Sequence, residues 1–183
     1  SVRRREFLRR MGALAAAPLV VPRAVLGLGA GVAPNDRIQF GCIGVGNRAR
    51  HVMPSFLAQE DIRFVAVSDC RADRLESARE LMNTHYGDRA CRTYHDYREL
   101  LEQRDVDAVF IATGDRWHAT ASIHAARARK DIYSEKPISM YVAEGRALVE
   151  ECRRTGAIYQ GGTQRRSTAS YRFAVEMARR GVL

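Results

Sequence analysis

The residues best suited to chemistry in this chain begin with a short glycine-rich segment. Residues 44–49, GVGNRA, match G-x-G-x-x-G/A directly after the apolar run 38–43. Gly44 and Gly46 permit a tight turn that a pyrophosphate can approach closely, and an alanine at the last position lets the next helix pack near the strand. The segment predicts a phosphate-binding turn, with Asn47 and Arg48 beside the phosphates at the helix start.

A carboxylate follows at the end of the next apolar run, residues 62–67. Asp69 lies roughly 20 positions beyond the glycine turn, where an acidic residue accepts hydrogen bonds from an adenosine ribose. Its negative charge repels a 2′-phosphate and so favours NAD, whereas Arg71 could accommodate NADP. The alternative is a structural glycine turn in which Asp69 caps the following helix.

A third candidate lies in residues 106–137, which read as a strand, a turn, a crossover helix, a second strand and a stop at Pro137. Lys136 ends the second strand, and open α/β sheets bind ligands at the carboxyl ends of their strands. Lys130 and Lys136 are the only lysines among 30 basic residues. Lysine, unlike arginine, can shift its pKa readily, so Lys136 is a candidate for chemistry, the alternative being a surface ion pair with Glu135.

The elements that position these residues alternate regularly. Strands are predicted at 38–43, 62–69, 91–94, 106–111, 132–133 and 157–160, and helices near 48–59, 72–86, 97–103, 117–128, 142–155 and 167–180. Asp96 is expected to open the third helix, and Gly156 to end the fifth. This alternation predicts an α/β fold, a doubly wound parallel sheet of the Rossmann type with right-handed crossovers.

Several segments in this order resemble the N-terminal domain of the Gfo/Idh/MocA oxidoreductase family, which includes glucose–fructose oxidoreductase and inositol dehydrogenase. The similar segments are GCIGVGNRA, VSDC, DVDAVFIATGDRWH, YSEKP and GGTQRR, within residues 38–166. One departure is Gly114, where the family usually has proline after Ala-Thr. Glycine keeps the turn and loosens it.

The resemblance implies NAD or NADP as cofactor and hydride transfer between a sugar or polyol carbon and the nicotinamide. Lys136 would lie near the reacting hydroxyl, where its charge favours the developing alkoxide or relays the proton. Thr113, Asp115 and His118 would lie near the middle of the cofactor, with His118 a second candidate catalytic residue, and Glu135 would also bind the cofactor. Asp115 is equally suited to capping the helix that follows it, and a histidine such as His118 is more often a helix-packing residue than a catalyst.

The first 33 residues predict export. Residues 4–9, RREFLR, resemble a twin-arginine signal, and the apolar stretch 11–21 that follows is too short to span a bilayer. The protein is therefore expected to be periplasmic or otherwise exported by the twin-arginine machinery, which carries folded proteins. If the signal is not cleaved, it would anchor the protein to the membrane. Such a dinucleotide enzyme would retain its cofactor through turnover.

Charge and composition argue against other functions. The net charge is +9, but residues 1–33 contribute +5 of it, and acidic and basic residues alternate along the later helices. This pattern predicts a solvated surface and no nucleic-acid partner. The histidines and cysteines lack metal-ligand spacing, so no metal site is expected.

We therefore expect a signal and linker at 1–33, a dinucleotide-binding domain at 34–160, and the start of a second, substrate-binding α/β domain at 161–183, largely absent from the chain. The family resemblance implies homo-oligomers formed through that second domain. Two alternatives to the exported NAD(P)-dependent sugar oxidoreductase stay open. One is an NAD-dependent glycosidase or lyase that oxidises its sugar transiently, and the other is a non-catalytic dinucleotide- or sugar-binding module.

Overall fold

The computed structural model describes residues 32, 33 and 36–182, in which a compact unit begins at Ile38. Its strands are β1 Ile38–Ile43, β2 Ile62–Ser68, β3 Arg92–Tyr94, β4 Ala108–Ile111, β5 Asp131–Glu135 and β6 Tyr159–Gly162. Its α-helices are α1 Asn47–Leu57, α2 Ala72–Tyr86, α3 Tyr97–Leu101, α4 His118–Arg127, α5 Val142–Thr155 and α6 Ala169–Arg179. Two 3₁₀ turns, Asp115–Trp117 and Gln164–Ser167, precede α4 and α6.

The six strands form one parallel sheet in the order β3-β2-β1-β4-β5-β6. The order reverses between β1 and β4. The strands β2 and β3 are added on one side of β1, and the chain then crosses back to add β4, β5 and β6 on its other side. This is the strand order of the doubly wound Rossmann fold, so the predicted fold class is confirmed. Such a reversal opens a crevice beyond the carboxyl ends of the two central strands.

Helices cover both faces of the sheet because its central strands are apolar on both sides. One face carries an aromatic cluster in which the rings of Phe40 and Phe64 meet edge to face at 5.5 Å, with Phe56 and Phe110 packed beside them. The other face is lined by aliphatic side chains of the strands and by alanines of α4. Alanine lets that helix lie close to the sheet.

Local signals set several element ends. The Asp96 side chain accepts a hydrogen bond from the Arg98 N–H at 2.9 Å and caps α3, as predicted. Gly156 ends α5 with a left-handed φ of +78°, a conformation that favours glycine. The predicted helix at 117–128 begins instead with the Asp115–Trp117 3₁₀ turn, and the α-helix starts at His118.

The predicted export signal, including Arg4 and Arg5, lies outside the described residues. Within the part of the chain that the structure describes, no helix has the length and apolar character needed to cross a membrane. Helix α6 buries none of its residues, and Phe173 on it is 66% exposed.

Candidate functional site

A cleft of about 540 Å³ opens at the carboxyl ends of β1, β2 and β4, at the point where the strand order reverses. Topology alone makes this the expected ligand site of an open parallel sheet. The cleft brings together six residues predicted from the sequence: Gly44, Gly46, Asn47, Arg48, Asp69 and Thr113. Trp117 also lines the cleft and is half exposed.

The turn between β1 and α1 requires glycine at its first position. Gly44 has a φ of +83°, and a Cβ placed there would stand 2.8 Å from the backbone of Thr113 at the end of β4. The Gly44 N–H donates to the Ser68 carbonyl at 2.8 Å, which fixes the turn against β2. A side chain at this position would therefore be strained and would also separate two central strands.

Helix α1 directs its amino end toward the same turn. The first bond within the helix runs from the Arg50 N–H to the Gly46 carbonyl at 3.1 Å, so the amides of residues 47–49 precede it and have no acceptor within the helix. The first turn contains no acidic residue. Amide donors together with the positive end of the helix dipole favour a phosphate here. The bare Gly46 backbone leaves room for one, so the turn fits a dinucleotide pyrophosphate.

Asp69 is buried and held rigidly at the end of β2. Its Oδ2 accepts the Val45 N–H at 3.0 Å, and its Oδ1 accepts the Arg71 N–H at 3.0 Å. The carboxylate therefore joins the glycine turn to the β2–α2 loop and keeps further lone pairs for a ligand. The N-cap residue of α2 is Arg71, so Asp69 does not occupy the capping position of that helix.

The two arginines that follow Asp69 have different surroundings. Arg71, the predicted contact for NADP, bonds Asp73 with Nε at 3.0 Å and Nη2 at 2.6 Å, and it does not line the cleft. Arg74, which the sequence reasoning missed, does line the cleft, with its Nη1 3.9 Å from Asp69 Oδ2. Helical spacing was the available signal, since the third residue of α2 is one turn beyond Arg71.

Glu135 is the centre of a buried polar network at the end of β5. Its Oε1 pairs with Arg48 Nη2 at 3.0 Å and also accepts the Gln164 side-chain amide, while its Oε2 accepts the Lys136 N–H at 3.3 Å. Gln164 also donates to the Tyr133 hydroxyl at 3.0 Å. The pairing of Glu135 with Arg48 joins the glycine-turn helix to the end of β5, which Lys136 follows. The role of Gln164 was not predicted, although its segment GGTQRR was noted.

Lys136 and Asp115 are exposed at the carboxyl edge and do not line the cleft itself. His118, in contrast, is 1% exposed and lies between two loops. Its Nδ1 is 2.7 Å from the Pro137 carbonyl and its Nε2 is 3.2 Å from the Thr113 carbonyl. The ring can donate to one carbonyl in either neutral tautomer and to both as an imidazolium. It fastens the loop after β5 to the loop after β4.

The described residues contain no group of three or more histidine, cysteine or acidic side chains placed to hold a metal ion. Tyr97 and His95 line the cleft on its β3 side. Burial raises the pKa of Tyr97, so its hydroxyl stays neutral and can donate at ordinary pH. The arrangement of the cleft is suited to holding a dinucleotide.

Residues 38–163 match the Gfo/Idh/MocA family, described as an oxidoreductase family with an NAD-binding Rossmann fold. Among curated proteins, a myo-inositol 2-dehydrogenase of Thermotoga maritima is 27% identical over 146 residues, covering 80% of this chain and 42% of the relative. A glycosyl hydrolase family 109 protein of Shewanella sp. strain MR-4 is 30% identical over 173 residues, covering 85% of this chain and 38% of the relative. The chain thus spans about two fifths of the length of these relatives.

Solved structures share the fold. A 3-ketoreductase from Actinomadura kijaniata, in complex with NADP and TDP-benzene, is 25% identical with a TM-score of 0.71, over 80% of this chain and 43% of that one. A scyllo-inositol dehydrogenase from Lactobacillus casei, with bound NAD(H) and scyllo-inositol, is 22% identical with a TM-score of 0.69, over 79% and 42%. At this identity the second likeness concerns the fold alone.

Proposed function

Because the chain belongs to the Gfo/Idh/MocA oxidoreductase family, we propose that it binds NAD or NADP and serves hydride transfer between a sugar or polyol carbon and the nicotinamide. The observation that carries the proposal is the cleft at the strand-order reversal, where Gly44, Gly46 and the start of α1 form a turn suited to a pyrophosphate. The relatives named for inositol dehydrogenation and ketone reduction support the substrate class.

Each predicted residue has a proposed role in this reaction. The backbone of Gly44 and Gly46, with Asn47 and Arg48, holds the pyrophosphate, and Asp69 accepts hydrogen bonds from the adenosine ribose. Hydride chemistry is supplied by the nicotinamide when the dinucleotide is bound. The residues of the protein fix the distance and direction between the two reacting carbons.

Lys136 is the proposed residue for handling the alcohol proton. It follows β5 directly, and its ammonium charge would favour the alkoxide that develops as hydride leaves the carbon. Glu135 beside it is fixed by Arg48 and Gln164, so the backbone that presents Lys136 is anchored to the glycine-turn helix. Thr113 and Asp115 are proposed to lie by the middle of the cofactor, and His118 to act through the loops it joins.

A second candidate function rests on the glycosyl hydrolase family 109 relatives. A hydrolase of this class would oxidise a sugar hydroxyl transiently, remove the acidified neighbouring proton, eliminate the aglycone, add water across the double bond so formed and return the hydride. The same dinucleotide site serves both candidates. Net change in the redox state of the cofactor separates them, because only the first candidate consumes or produces reduced cofactor overall.

We also propose that the protein is exported with its cofactor bound, on the strength of residues 4–9, RREFLR, and the apolar stretch after them. The first experiment purifies the protein from the exported fraction of cells without added nucleotide, denatures it and assays NAD and NADP by mass. We expect stoichiometric dinucleotide. Protein that never reaches the exported fraction would contradict export, and protein that is empty and binds no added dinucleotide would contradict the function.

Two glycine variants sharpen this test. Gly46→Val places a branched side chain where the pyrophosphate approaches, so we expect a loss of at least about tenfold in dinucleotide affinity. Gly161→Ala is the control, because Gly161 lies outside the cleft, a Cβ there would make an ordinary contact of 3.5 Å with Ile138, and its backbone is not left-handed. Equal binding by both variants would remove the glycine turn from the proposed site.

A further inference from the structure

Glu135 is a buried carboxylate with a single cationic partner in the part of the chain that the structure describes. Its side chain is 2% exposed, and Arg48 forms an ion pair with it, at 3.0 Å from Nη2 to Oε1. The Gln164 side-chain amide and the Lys136 N–H add hydrogen bonds to the two carboxylate oxygens, but both of these donors are neutral. The charge of Glu135 therefore depends on Arg48, because a buried ion without a counter-charge is costly.

Arg48 also belongs to the cleft. It is the second residue of α1, lines the cavity at the carboxyl ends of the strands and has a side chain that is 41% exposed. In the proposed function the same guanidinium contacts the pyrophosphate, which carries two negative charges against the one of Glu135. The guanidinium is thus shared between a buried carboxylate of the fold and an anionic ligand of the cleft.

Lys136 is the nearest cation along the chain that can replace Arg48 at Glu135. Its side chain is exposed, and its ammonium has no hydrogen bond or ion pair within the described residues. Its backbone N–H already lies 3.3 Å from Glu135 Oε2, which places the start of the side chain beside the carboxylate. Lysine suits an exchange of partners, because its stem is flexible and its charge is compact. Arg166, an exposed residue of the turn that carries Gln164, is the competing candidate.

Building on the proposed function, we infer that Glu135 is a positioning residue that couples dinucleotide binding to Lys136. In the empty protein Glu135 is paired with Arg48, and Lys136 is left to solvent. When Arg48 turns to the pyrophosphate, the Glu135 carboxylate stays in place on Gln164 and attracts the Lys136 ammonium. The lysine is then ordered and kept charged only while a dinucleotide occupies the cleft.

The test follows the acylation of Lys136 in the full chain by N-hydroxysuccinimidyl acetate, measured by peptide mass spectrometry. Only an unprotonated amine reacts, so an ammonium held by a carboxylate is acylated more slowly. The probe is ADP, which supplies the two phosphates and has no nicotinamide that could cover the lysine. We expect saturating ADP to slow the acylation of Lys136 by about threefold or more. Lys130, which is buried, is the reference within the same protein and should not respond.

Three variants separate this coupling from shielding by the ligand. Glu135→Gln keeps the shape of the side chain and removes its charge, so ADP should change the Lys136 rate by less than about 1.5-fold. Arg48→Gln removes the shared cation, so acylation of Lys136 should already be slow without ADP. Arg50→Gln is the control for it, because Arg50 is an exposed arginine of the same helix that does not line the cleft, and it should behave as the parent. Thermal unfolding checks that each variant is folded, and Arg48→Gln carries the test if Glu135→Gln is not.

Three outcomes would overturn the inference. The first is a parent protein that binds ADP with no change in the acylation of Lys136, which would leave Glu135 with Arg48 or with Arg166. The second is a slowing by ADP that persists in Glu135→Gln, which would mean that the ligand covers the lysine directly. The third is an Arg48→Gln protein whose Lys136 reacts as fast as in the empty parent. A parent protein that binds neither ADP nor NAD in titration calorimetry is a separate result, because it contradicts the proposed function itself.

Discussion

Lys130 and Lys136 stand at opposite ends of strand β5 and have contrasting surroundings. Lys130 precedes the strand, is 8% exposed, and donates from its ammonium to the carbonyls of Gln103 and Val106, each at 2.7 Å. Lys136 follows the strand and is exposed, and its hydrogen bond in the described chain runs from its backbone N–H to Glu135. Lysine is therefore a buried hydrogen-bond donor at the amino edge of the sheet and an exposed side chain at the carboxyl edge.

This contrast separates stability from function along one strand. Burial lowers the pKa of Lys130, and its ammonium donates to two carbonyls within the α3–β4 connection, residues 102–107. Buried acceptors without a donor are costly, so a lysine there is part of the fold. Ligand-binding residues of open parallel sheets lie in the loops at the carboxyl edge, where they are positioned by the packed strands.

The largest expected effect comes from replacing the two lysines in turn. Lys130→Met removes the ammonium donor from the buried Val106 carbonyl and leaves the Gln103 carbonyl with the Val106 N–H at 3.4 Å, and we expect a loss of about 2–4 kcal/mol in the free energy of unfolding. Lys136→Met should change it by less than about 0.5 kcal/mol, because the side chain is exposed. Denaturant unfolding measures both. Similar losses in the two variants would break the contrast between the edges.

The second prediction concerns His118, which lies at the carboxyl edge of the sheet but, unlike Lys136, is buried. Replacing it with leucine removes the hydrogen-bonded link between the Pro137 and Thr113 carbonyls and places an apolar side chain beside them. We expect a loss of about 1–3 kcal/mol in the free energy of unfolding, with faster hydrogen exchange of amides near Lys136. His51→Leu, at an exposed position of α1, is the control and should change little. An unchanged His118 variant would mean that the ring does not hold the two loops.

The smallest expected effect lies at the other end of α4, in the pH dependence of stability. Burial, assisted by Arg127 and Arg98, lowers the pKa of His124 below its ordinary 6.5, and the Tyr97 hydroxyl lies 2.8 Å from its Nδ1. The unfolded chain then takes up the proton more readily than the folded one. The stability that the neutral ring contributes is present above pH 6.5 and is lost as the pH falls through the lowered pKa.

A variant isolates this contribution. His124→Gln should show a shallower decline of thermal stability below pH 6.5 than the parent, whatever its absolute stability. His51→Gln should keep the slope of the parent, since that side chain is exposed. If His124→Gln also keeps the parent slope, another group governs the acid side of the stability curve.

Much of the fold could be predicted because its signals are local. The apolar run before Gly44 and the alternation of strands and helices predicted a doubly wound sheet, and the structure confirms it. Asp96 and Gly156 marked helix ends correctly, since capping depends on a few neighbouring residues. Boundaries were less accurate where packing decides them, as at β4, which begins at Ala108 and not at Val106.

Some residues of the candidate site could likewise be located from the sequence, and others could not. Motif spacing located Gly44, Gly46 and Asp69, which the structure brings together in one cleft. Spacing did not show that Arg74, and not Arg71, lines the cleft. The Arg71 guanidinium pairs with Asp73 in the first turn of α2, whereas the Arg74 guanidinium extends toward Asp69 and the glycine turn. The roles assigned to Lys136 and His118 stay predictions.

The amino-acid sequence by itself determined the parallel α/β architecture, the glycine turn and the edge of the sheet at which chemistry would be sought. Apolar periodicity and turn residues encode those features over a few neighbouring positions. The tertiary structure decided which polar side chains meet: Glu135 with Arg48, His118 with Pro137, and Lys130 with Val106. These partners are distant in the chain, and only the packing of helices on the sheet brings them within hydrogen-bonding distance.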